Sequence, residues 1–291
     1  MRIKKAIVPI AGSGTRFLPL SKILPKEVWP LACKPVIQYI IEEIIESGIN
    51  EVIFVIKPGQ KIALDYFKGK VKTKNLSKSK YKDQFLEEFE NLEKISKKIS
   101  FSYVIQKKPL GDGHAILQAE KLVKREPCAV LFGDDIVDGK VPCLKQLIKV
   151  FEKYHRPVMA LCKVPKSSFG FYGMVAAEPV GNRIYRIKKI IEKPSPKESP
   201  SNLAIVGKRI ITPKVFDFLK NNPVSERGEI GLTEALGAMI ETGEEIYGYE
   251  IKGKWLECGN KLAYLKSNLY LSLKHPRFGK ELKNYLREEK L

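Results

Sequence analysis

The stretch Ala11-Gly12-Ser13-Gly14-Thr15-Arg16 directly follows a short apolar run, Ala6–Ile10, which predicts a buried first strand. Two glycines after a strand let the backbone turn sharply and bring its N–H groups against phosphate oxygens. Arg16 adds a planar fork of donors for the same oxygens. Phe17 stands where a dinucleotide fingerprint has its third glycine, and no Gly-Lys-Ser/Thr ending of a P-loop is present. Taken alone, the glycine pair is equally compatible with a purely structural turn.

The residues after this stretch favour a phosphate site. Pro25-Lys26-Glu27 places a second cation ten residues after Arg16. Two cations and a glycine loop near one strand end suit a triphosphate.

Apolar runs and helical patterns alternate along the first half of the chain, which indicates an α/β fold with a mainly parallel sheet and helices on both faces. A helix is predicted at Pro35–Ser47. The second half is richer in strands, which we expect to be antiparallel additions around a substrate pocket, and two helices are expected near Lys261–Leu273 and Phe278–Glu289. The predicted strands are Ala6–Ile10, Glu51–Ile56, Phe101–Gln106, Ala129–Phe132, Pro157–Val164, Gly173–Ala177, Arg183–Ile191, Leu203–Ile211 and Glu245–Ile251.

Residues 70–99 interrupt the alternation with an amphipathic helical pattern. Packing on the flank of the domain is the favoured interpretation, and a partner-binding helix is the alternative. Its apolar positions are Tyr81, Phe85, Phe89, Leu92 and Ile95.

The bulk composition restricts the class of protein. No apolar run is long enough to span a membrane, so no membrane association is expected. The five scattered cysteines without a Cys-x-x-Cys motif predict a reduced, cytoplasmic chain. The formal net charge of +19 is compatible with nucleic-acid binding, a lysine-rich surface, or attraction of an anionic small substrate. Because no nucleic-acid-binding signature accompanies the charge, we expect no nucleic-acid partner.

Several motifs in this order resemble the sugar-nucleotide pyrophosphorylases, and most closely the bacterial UTP–glucose-1-phosphate uridylyltransferases. The resemblance covers nearly the whole chain, and the insertion at 70–99 also resembles that branch. The motifs are Gly12-x-Gly14-Thr15-Arg16-x-x-Pro19, Pro25-Lys26-Glu27-x-x-Pro30, Lys34-Pro35, Gly111-x-Gly113-His114-Ala115, Glu192-Lys193-Pro194, Ser201-Asn202-Leu203-Ala204-Ile205-Val206-Gly207 and Cys258-Gly259-Asn260-Lys261.

The resemblance implies one nucleotidyltransferase domain over residues 1–291, with a Rossmann-like mixed sheet of the nucleotide-diphospho-sugar transferase type, the helical insertion at 70–99 and C-terminal helices at 259–291. It implies Mg²⁺-dependent transfer of the uridylyl group of UTP to glucose 1-phosphate, and a homo-oligomer, either a dimer or a tetramer. Two alternatives stay open: another triphosphate, such as dTTP, or another hexose 1-phosphate, and a non-catalytic sugar-nucleotide-binding paralogue.

The family's metal ligands map onto Asp134 and Glu257. Asp134 follows a strand, at the sheet edge where open α/β sheets bind ligands. Glu257 stands where the family has aspartate, and its longer stem puts the ligand geometry in question because Mg²⁺ tolerates little error. Asp135 is interpreted as a solvated loop residue in preference to a second ligand.

The resemblance also assigns the substrate contacts. Arg16, Lys26, Asp134 and Lys193 are the expected catalytic residues. Gly231 and Glu234 depart from the family's glutamine and aspartate near the hexose, Asp112 replaces leucine beside the base, and His114 is interpreted as structural. The expected nucleotide-binding residues are Ala11, Gly12, Gly14, Thr15, Gln106 and Gly111, and the expected sugar-phosphate residues are Gly173, Glu192, Lys193 and Val206.

Overall fold

The structure is a computed structural model that describes residues 2–69, 82–221 and 228–290, with the side chains of 82–85 left out. A nine-stranded sheet forms its centre. The strands of the chain are β1 (Lys5–Pro9), β2 (Pro30–Leu31), β3 (Lys34–Pro35), β4 (Glu51–Ile56), β5 (Ser100–Ile105), β6 (Cys128–Leu131), β7 (Asp135–Asp138), β8 (Val158–Lys163), β9 (Gly173–Gly181), β10 (Ile184–Glu192), β11 (Leu203–Ile211), β12 (Tyr247–Glu250) and β13 (Lys254–Glu257).

The main sheet has the strand order β5-β4-β1-β6-β11-β8-β12-β10-β9. Strands β5, β4, β1 and β6 run parallel, with Ile7 opposite both Ile53 and Val130. Strand β11 is antiparallel to β6 and β8, and β9 and β10 form an antiparallel hairpin. The sheet is therefore mixed, and the expected parallel first half with added antiparallel strands is confirmed except at β12, which is antiparallel to β10 but parallel to β8.

Helices cover both faces of the sheet because the buried strands carry apolar side chains on both sides. The helices are α1 (Val36–Glu46), α2 (Ile62–Lys68), α3 (Lys82–Lys98), α4 (Asp112–Gln118), α5 (Glu120–Val123), α6 (Cys143–Tyr154), α7 (Pro213–Asn221), α8 (Leu232–Glu241), α9 (Lys261–Lys274) and α10 (Gly279–Glu288). One core packs α1 and α6 against Ala6 and Val8, and the other packs α4, α7 and α8 against Ile7.

The inserted helical segment corresponds to α3, which lies between β4 and β5 in the chain. Ile95 is buried in the core that contains α1, and Leu92 packs against that core. These contacts support packing on the flank of the domain. The side chains of Tyr81 and Phe85 lie outside the described residues. Among the described helices, none has both the length and the apolar character needed to cross a membrane.

Two short ribbons outside the main sheet were not predicted from the sequence. Strand β7 pairs with β13 in an antiparallel ribbon, in which Asp135 lies opposite Glu257, and β2 pairs with β3. The first ribbon follows β6 directly, so it extends from the carboxyl edge of the parallel strands. It thereby joins two segments of chain that each carry a predicted metal ligand.

Candidate active site

A cleft of about 680 Å³ opens at the carboxyl ends of the parallel strands. This is the edge where open α/β sheets bind their ligands. Ten predicted site residues line it: Ala11, Gly12, Gly14, Thr15, Lys26, Gln106, Gly111, Asp134, Glu192 and Lys193. Within the part of the chain that the structure describes, four predicted residues lie outside this lining: Arg16, Gly173, Val206 and Glu257.

The glycine loop leaves β1 at the base of the cleft. Gly14 adopts a left-handed conformation with φ of 62°, and its carbonyl accepts a hydrogen bond of 2.8 Å from Ser21 Oγ. Arg16 is exposed beside the cleft, with its Nη1 3.4 Å from the carbonyl oxygen of Gly259. The loop thus presents backbone to the cleft and holds a guanidinium at its margin, as a phosphate-binding segment would.

Lys26 forms an ion pair with Asp134 on the floor of the cleft. Burial alone would lower the pKa of Lys26, but the carboxylates of Asp134 and Glu27 outweigh it and raise that pKa. The ammonium group therefore stays charged across the physiological pH range. A fixed cation next to a potential metal ligand is suited to bind phosphate oxygens.

Glu27 lies in the same cleft, although no role beyond its motif was predicted for it. It is only 4% exposed and packs against the backbone of Gly133. Burial raises the pKa of Glu27 to about 7, and the negative charge of Asp134 adds to this rise while Lys26 opposes it. Nothing in the local pattern predicted this burial, since glutamate after lysine usually lies at a surface.

Asp134 and Glu257 converge on one point next to Gly259. A Cβ placed on Gly259 would lie 3.0 Å from Asp134 Oδ2 and 3.2 Å from Glu257 Oε1. The other oxygen of Glu257 accepts hydrogen bonds of 2.7 Å from the Tyr172 hydroxyl and 3.0 Å from Asn260 Nδ2. The longer glutamate side chain therefore reaches the neighbourhood of Asp134 with one oxygen still directed at it.

This pair of carboxylates fits Mg²⁺. Magnesium is held in nucleotide-dependent enzymes by one or two carboxylates, and substrate phosphates and water complete its coordination. In the described ranges no cluster of three or more acidic, histidine or cysteine side chains forms an all-protein metal cage. Two carboxylates leave most of the coordination of Mg²⁺ to phosphate oxygens and water.

Asp135 is not the solvated loop residue that the sequence suggested. It begins β7, and its carboxylate accepts a hydrogen bond of 2.5 Å from the indole nitrogen of Trp255 on β13. Burial and the neighbouring Asp134 raise the pKa of Asp135. The prediction failed because the partner lies 120 residues away in the chain, across a ribbon that local pattern does not reveal.

The predicted base side is a closely bonded loop. The side-chain amide of Gln106 donates to the Gly111 carbonyl at 3.0 Å and faces His114 Nδ1 at 3.0 Å. Burial lowers the pKa of His114, which favours its neutral form and supports a structural role. Asp112 Oδ1 accepts from the backbone N–H of Gly113 and of Leu232, so it joins α4 to the start of α8.

The predicted sugar side lies at the end of β10. Lys193 adopts a left-handed backbone with φ of 47°, and its Nζ lies 3.3 Å from Glu192 Oε1. Gly173 is opposite Glu192 in the β9–β10 register, so it adjoins the cleft through that glutamate. The Val206 side chain is fully buried in the core, which leaves only its backbone available to a ligand.

The departures from the family at Gly231 and Glu234 are linked in the structure. A Cβ on Gly231 would lie 1.8 Å from Glu234 Oε2, so the Glu234 carboxylate uses the space that a side chain at 231 would need. Beneath them, Arg209 is 5% exposed, donates to Thr233 Oγ1 at 3.3 Å, and lies over the Phe132 ring. Burial lowers the pKa of this guanidinium, and the carboxylates of Asp112 and Glu192 oppose that effect. No pattern in the sequence predicted a buried arginine here.

Comparison with known proteins identifies relatives along nearly the whole chain. A model of the nucleotidyl transferase family matches residues 5–272. The UTP–glucose-1-phosphate uridylyltransferase of Staphylococcus haemolyticus is 38% identical, with 99% of this chain and 98% of that protein covered. A crystal structure of UDP-glucose pyrophosphorylase complexed with UDP-glucose superposes with a TM-score of 0.85 at 35% identity, covering 94% of this chain and 100% of that one. A UTP-bound enzyme of the same name from Acinetobacter baumannii superposes with a TM-score of 0.86 at 33% identity, with 99% of both chains covered.

Proposed function

This chain belongs to the nucleotidyl transferase family, and on that premise we propose that it transfers the uridylyl group of UTP to glucose 1-phosphate. The products are UDP-glucose and pyrophosphate. The observation that carries the proposal is the convergence of the glycine loop, the Lys26–Asp134 pair and the Glu192–Lys193 pair in one cleft. The relatives named for this reaction and for its nucleotides support the choice of substrates.

The reaction forms one P–O bond and breaks another. A phosphate oxygen of glucose 1-phosphate attacks the α-phosphorus of UTP, and the bond from that phosphorus to the bridging oxygen of pyrophosphate breaks in line. The attacking oxygen is already anionic, so no strong general base is required. Catalysis then consists of holding two mutually repelling anions together and stabilising the charge that develops.

Residues in different parts of the cleft bind different parts of the two substrates. The backbone of Gly12 and Gly14, with Arg16 at the margin, binds the triphosphate, and Lys26 stabilises charge at the α-phosphate. Lys193 binds the sugar phosphate, and Glu192 accepts hydrogen bonds from hexose hydroxyls. Gln106 and the backbone of Gly111 contact the base. Gly173 and the backbone of Val206 complete the hexose pocket.

Asp134 and Glu257 hold Mg²⁺, which supplies positive charge for the phosphates when it is bound. The Lys26 ammonium pairs with Asp134 and compensates the charge of that carboxylate. The protein is further proposed to act as a cytoplasmic homo-oligomer, a dimer or a tetramer. All five cysteines are free, in keeping with the reduced environment that this location provides.

Pyrophosphate release across a grid of substrates tests the assignment. The grid pairs UTP and dTTP with glucose 1-phosphate and galactose 1-phosphate. We expect the highest kcat/KM for UTP with glucose 1-phosphate. Equal or faster turnover with dTTP or galactose 1-phosphate would reassign the base or the hexose, and no turnover with any pair would favour a non-catalytic paralogue.

A further inference from the structure

Tyr172 joins the two halves of the cleft by two separate hydrogen bonds. Its hydroxyl donates to Glu257 Oε2 at 2.7 Å. Its backbone carbonyl accepts from the N–H of Lys193 at 3.2 Å. One residue thus contacts both the proposed metal ligand and the proposed sugar-phosphate lysine, although Lys193 follows β10 of the main sheet and Glu257 ends β13 of the ribbon.

The hydroxyl contact determines which oxygen of Glu257 is available. Oε2 already accepts from Tyr172 and from Asn260 Nδ2, whereas Oε1 is the oxygen near Asp134. A carboxylate on a flexible three-bond stem has several rotamers, and two donors on one oxygen select among them. Because glutamate is longer than aspartate, this selection is what directs its free oxygen to the neighbourhood of Asp134.

The ring of Tyr172 is itself held in place. It packs on Trp255 with ring centroids 4.6 Å apart, and the Trp255 indole donates to Asp135. The tyrosine therefore has the fixed orientation that a positioning residue requires.

We propose that Tyr172 is a positioning residue that orients Glu257 for Mg²⁺. The inference rests on the proposed function in that it takes Glu257 as a metal ligand. Tyr172 does not touch the reacting atoms. It acts through the rotamer of Glu257.

The test is a double-mutant cycle between Tyr172→Phe and Glu257→Gln. Phenylalanine removes only the hydroxyl and keeps the ring contact with Trp255 and the backbone bond to Lys193. We expect Tyr172→Phe to raise the Mg²⁺ concentration for half-maximal turnover about 10-fold, the lower end of the usual effect of removing a group that orients a metal ligand. The KM values of both substrates at saturating Mg²⁺ should change less than twofold. In the Glu257→Gln background, the same change should have no further effect.

A second readout does not depend on turnover. Mn²⁺ is titrated into the protein mixed with equimolar UTP, and its binding is followed by the relaxation rate of water protons. We expect Tyr172→Phe to weaken Mn²⁺ binding by a factor similar to its effect on the Mg²⁺ dependence. The matched control is Tyr185→Phe, which removes a tyrosine–glutamate bond of 2.9 Å to Glu250 on the main sheet, away from the cleft.

Three results would overturn the inference. In the first, Tyr172→Phe depends on Mg²⁺ and Mn²⁺ concentration in the same way as Tyr185→Phe. In the second, Tyr172→Phe has its full effect even in the Glu257→Gln background. In the third, the wild-type protein gives no Mn²⁺ relaxation signal. Failure of the proposed function looks different, because the wild type would then make no UDP-glucose whatever its metal binding. The two failures are thereby distinguished.

Discussion

At the scale of single residues, the four carboxylates around the cleft floor differ by what their oxygens contact. Asp134 pairs with Lys26, Asp135 accepts from Trp255, Glu257 accepts from Tyr172, and Glu27 is buried beside Gly133. The sequence predicted Asp134 and Glu257 as functional because they stand in recognisable motifs. It failed at Asp135 and gave no role to Glu27, since their partners come from distant parts of the chain.

The raised pKa of Glu27 predicts that the free energy of unfolding depends on pH. Its pKa is about 7 in the folded protein, above the ordinary glutamate value, because burial disfavours the carboxylate. Between the unfolded and folded pKa values the folded state binds the extra proton, so Glu27 makes the protein less stable as pH rises from about 4.5 to 7. Asp135, whose pKa is also raised, contributes in the same direction.

We expect Glu27→Gln to remove the part of this slope that Glu27 causes. The variant should match the wild type near pH 4 and exceed its free energy of unfolding at pH 8 by about 1–3 kcal/mol. Urea unfolding followed by circular dichroism at a series of pH values measures the difference. If the free energies of unfolding of the two proteins changed with pH in parallel, the Glu27 carboxyl would not titrate in this range.

At the scale of secondary-structure elements, a buried ion pair joins three of them. Lys208 on β11 is fully buried, and its Nζ lies 2.7 Å from Glu43 Oε2 on α1. The other oxygen of Glu43 accepts a hydrogen bond of 2.8 Å from the N–H of Leu144 in the first turn of α6. The carboxylate thus compensates a buried charge and satisfies a free donor at a helix start.

We expect Glu43→Gln to lower the free energy of unfolding by about 3 kcal/mol or more, because Lys208 loses its counter-charge in the core. Adding Lys208→Met should restore most of that loss, since it removes the unpaired charge. The control is Glu42→Gln on the same helix, which disrupts the half-exposed pair with Lys34 and should cost about 1 kcal/mol or less. Equal losses in the two single variants, measured by urea unfolding, would contradict the importance of burial.

The elements themselves could be predicted to within a few residues wherever periodicity was strong. The bounds of β4 and β11 agree with the sequence prediction, and α1 begins and ends one residue inside it. The β7–β13 ribbon could not be predicted. Each of its strands has only four residues, and their pairing joins segments about 120 residues apart that carry no mutual signal in sequence. The candidate site was therefore predicted as a set of motifs, without the contacts that hold its carboxylates.

At the scale of the whole molecule, the net charge of +19 surrounds a cleft whose proposed ligands are anions. Such a field raises the local concentration of anions and is screened by salt over about 10 Å at 0.1 M. We expect the Kd of UTP, measured by isothermal titration calorimetry, to rise several-fold between about 20 and 300 mM NaCl. The slope of log Kd against log salt should increase from UMP through UDP to UTP. A slope that does not depend on the number of phosphates would show that the field does not act on them.

The candidate site draws its groups from almost the full run of described chain, from the cleft-lining loop at Gly12 to the ribbon strand that ends at Glu257 beside the cleft. On a ribosome adding about 5–20 residues each second, the glycine loop is made many seconds before that last carboxylate. A nascent chain that ends before β13 has Lys26, Asp134 and Lys193 but lacks the partner that approaches Asp134 at Gly259. On the proposed role of Glu257, the order of synthesis leaves the metal site of the growing polypeptide incomplete until β13 pairs with β7.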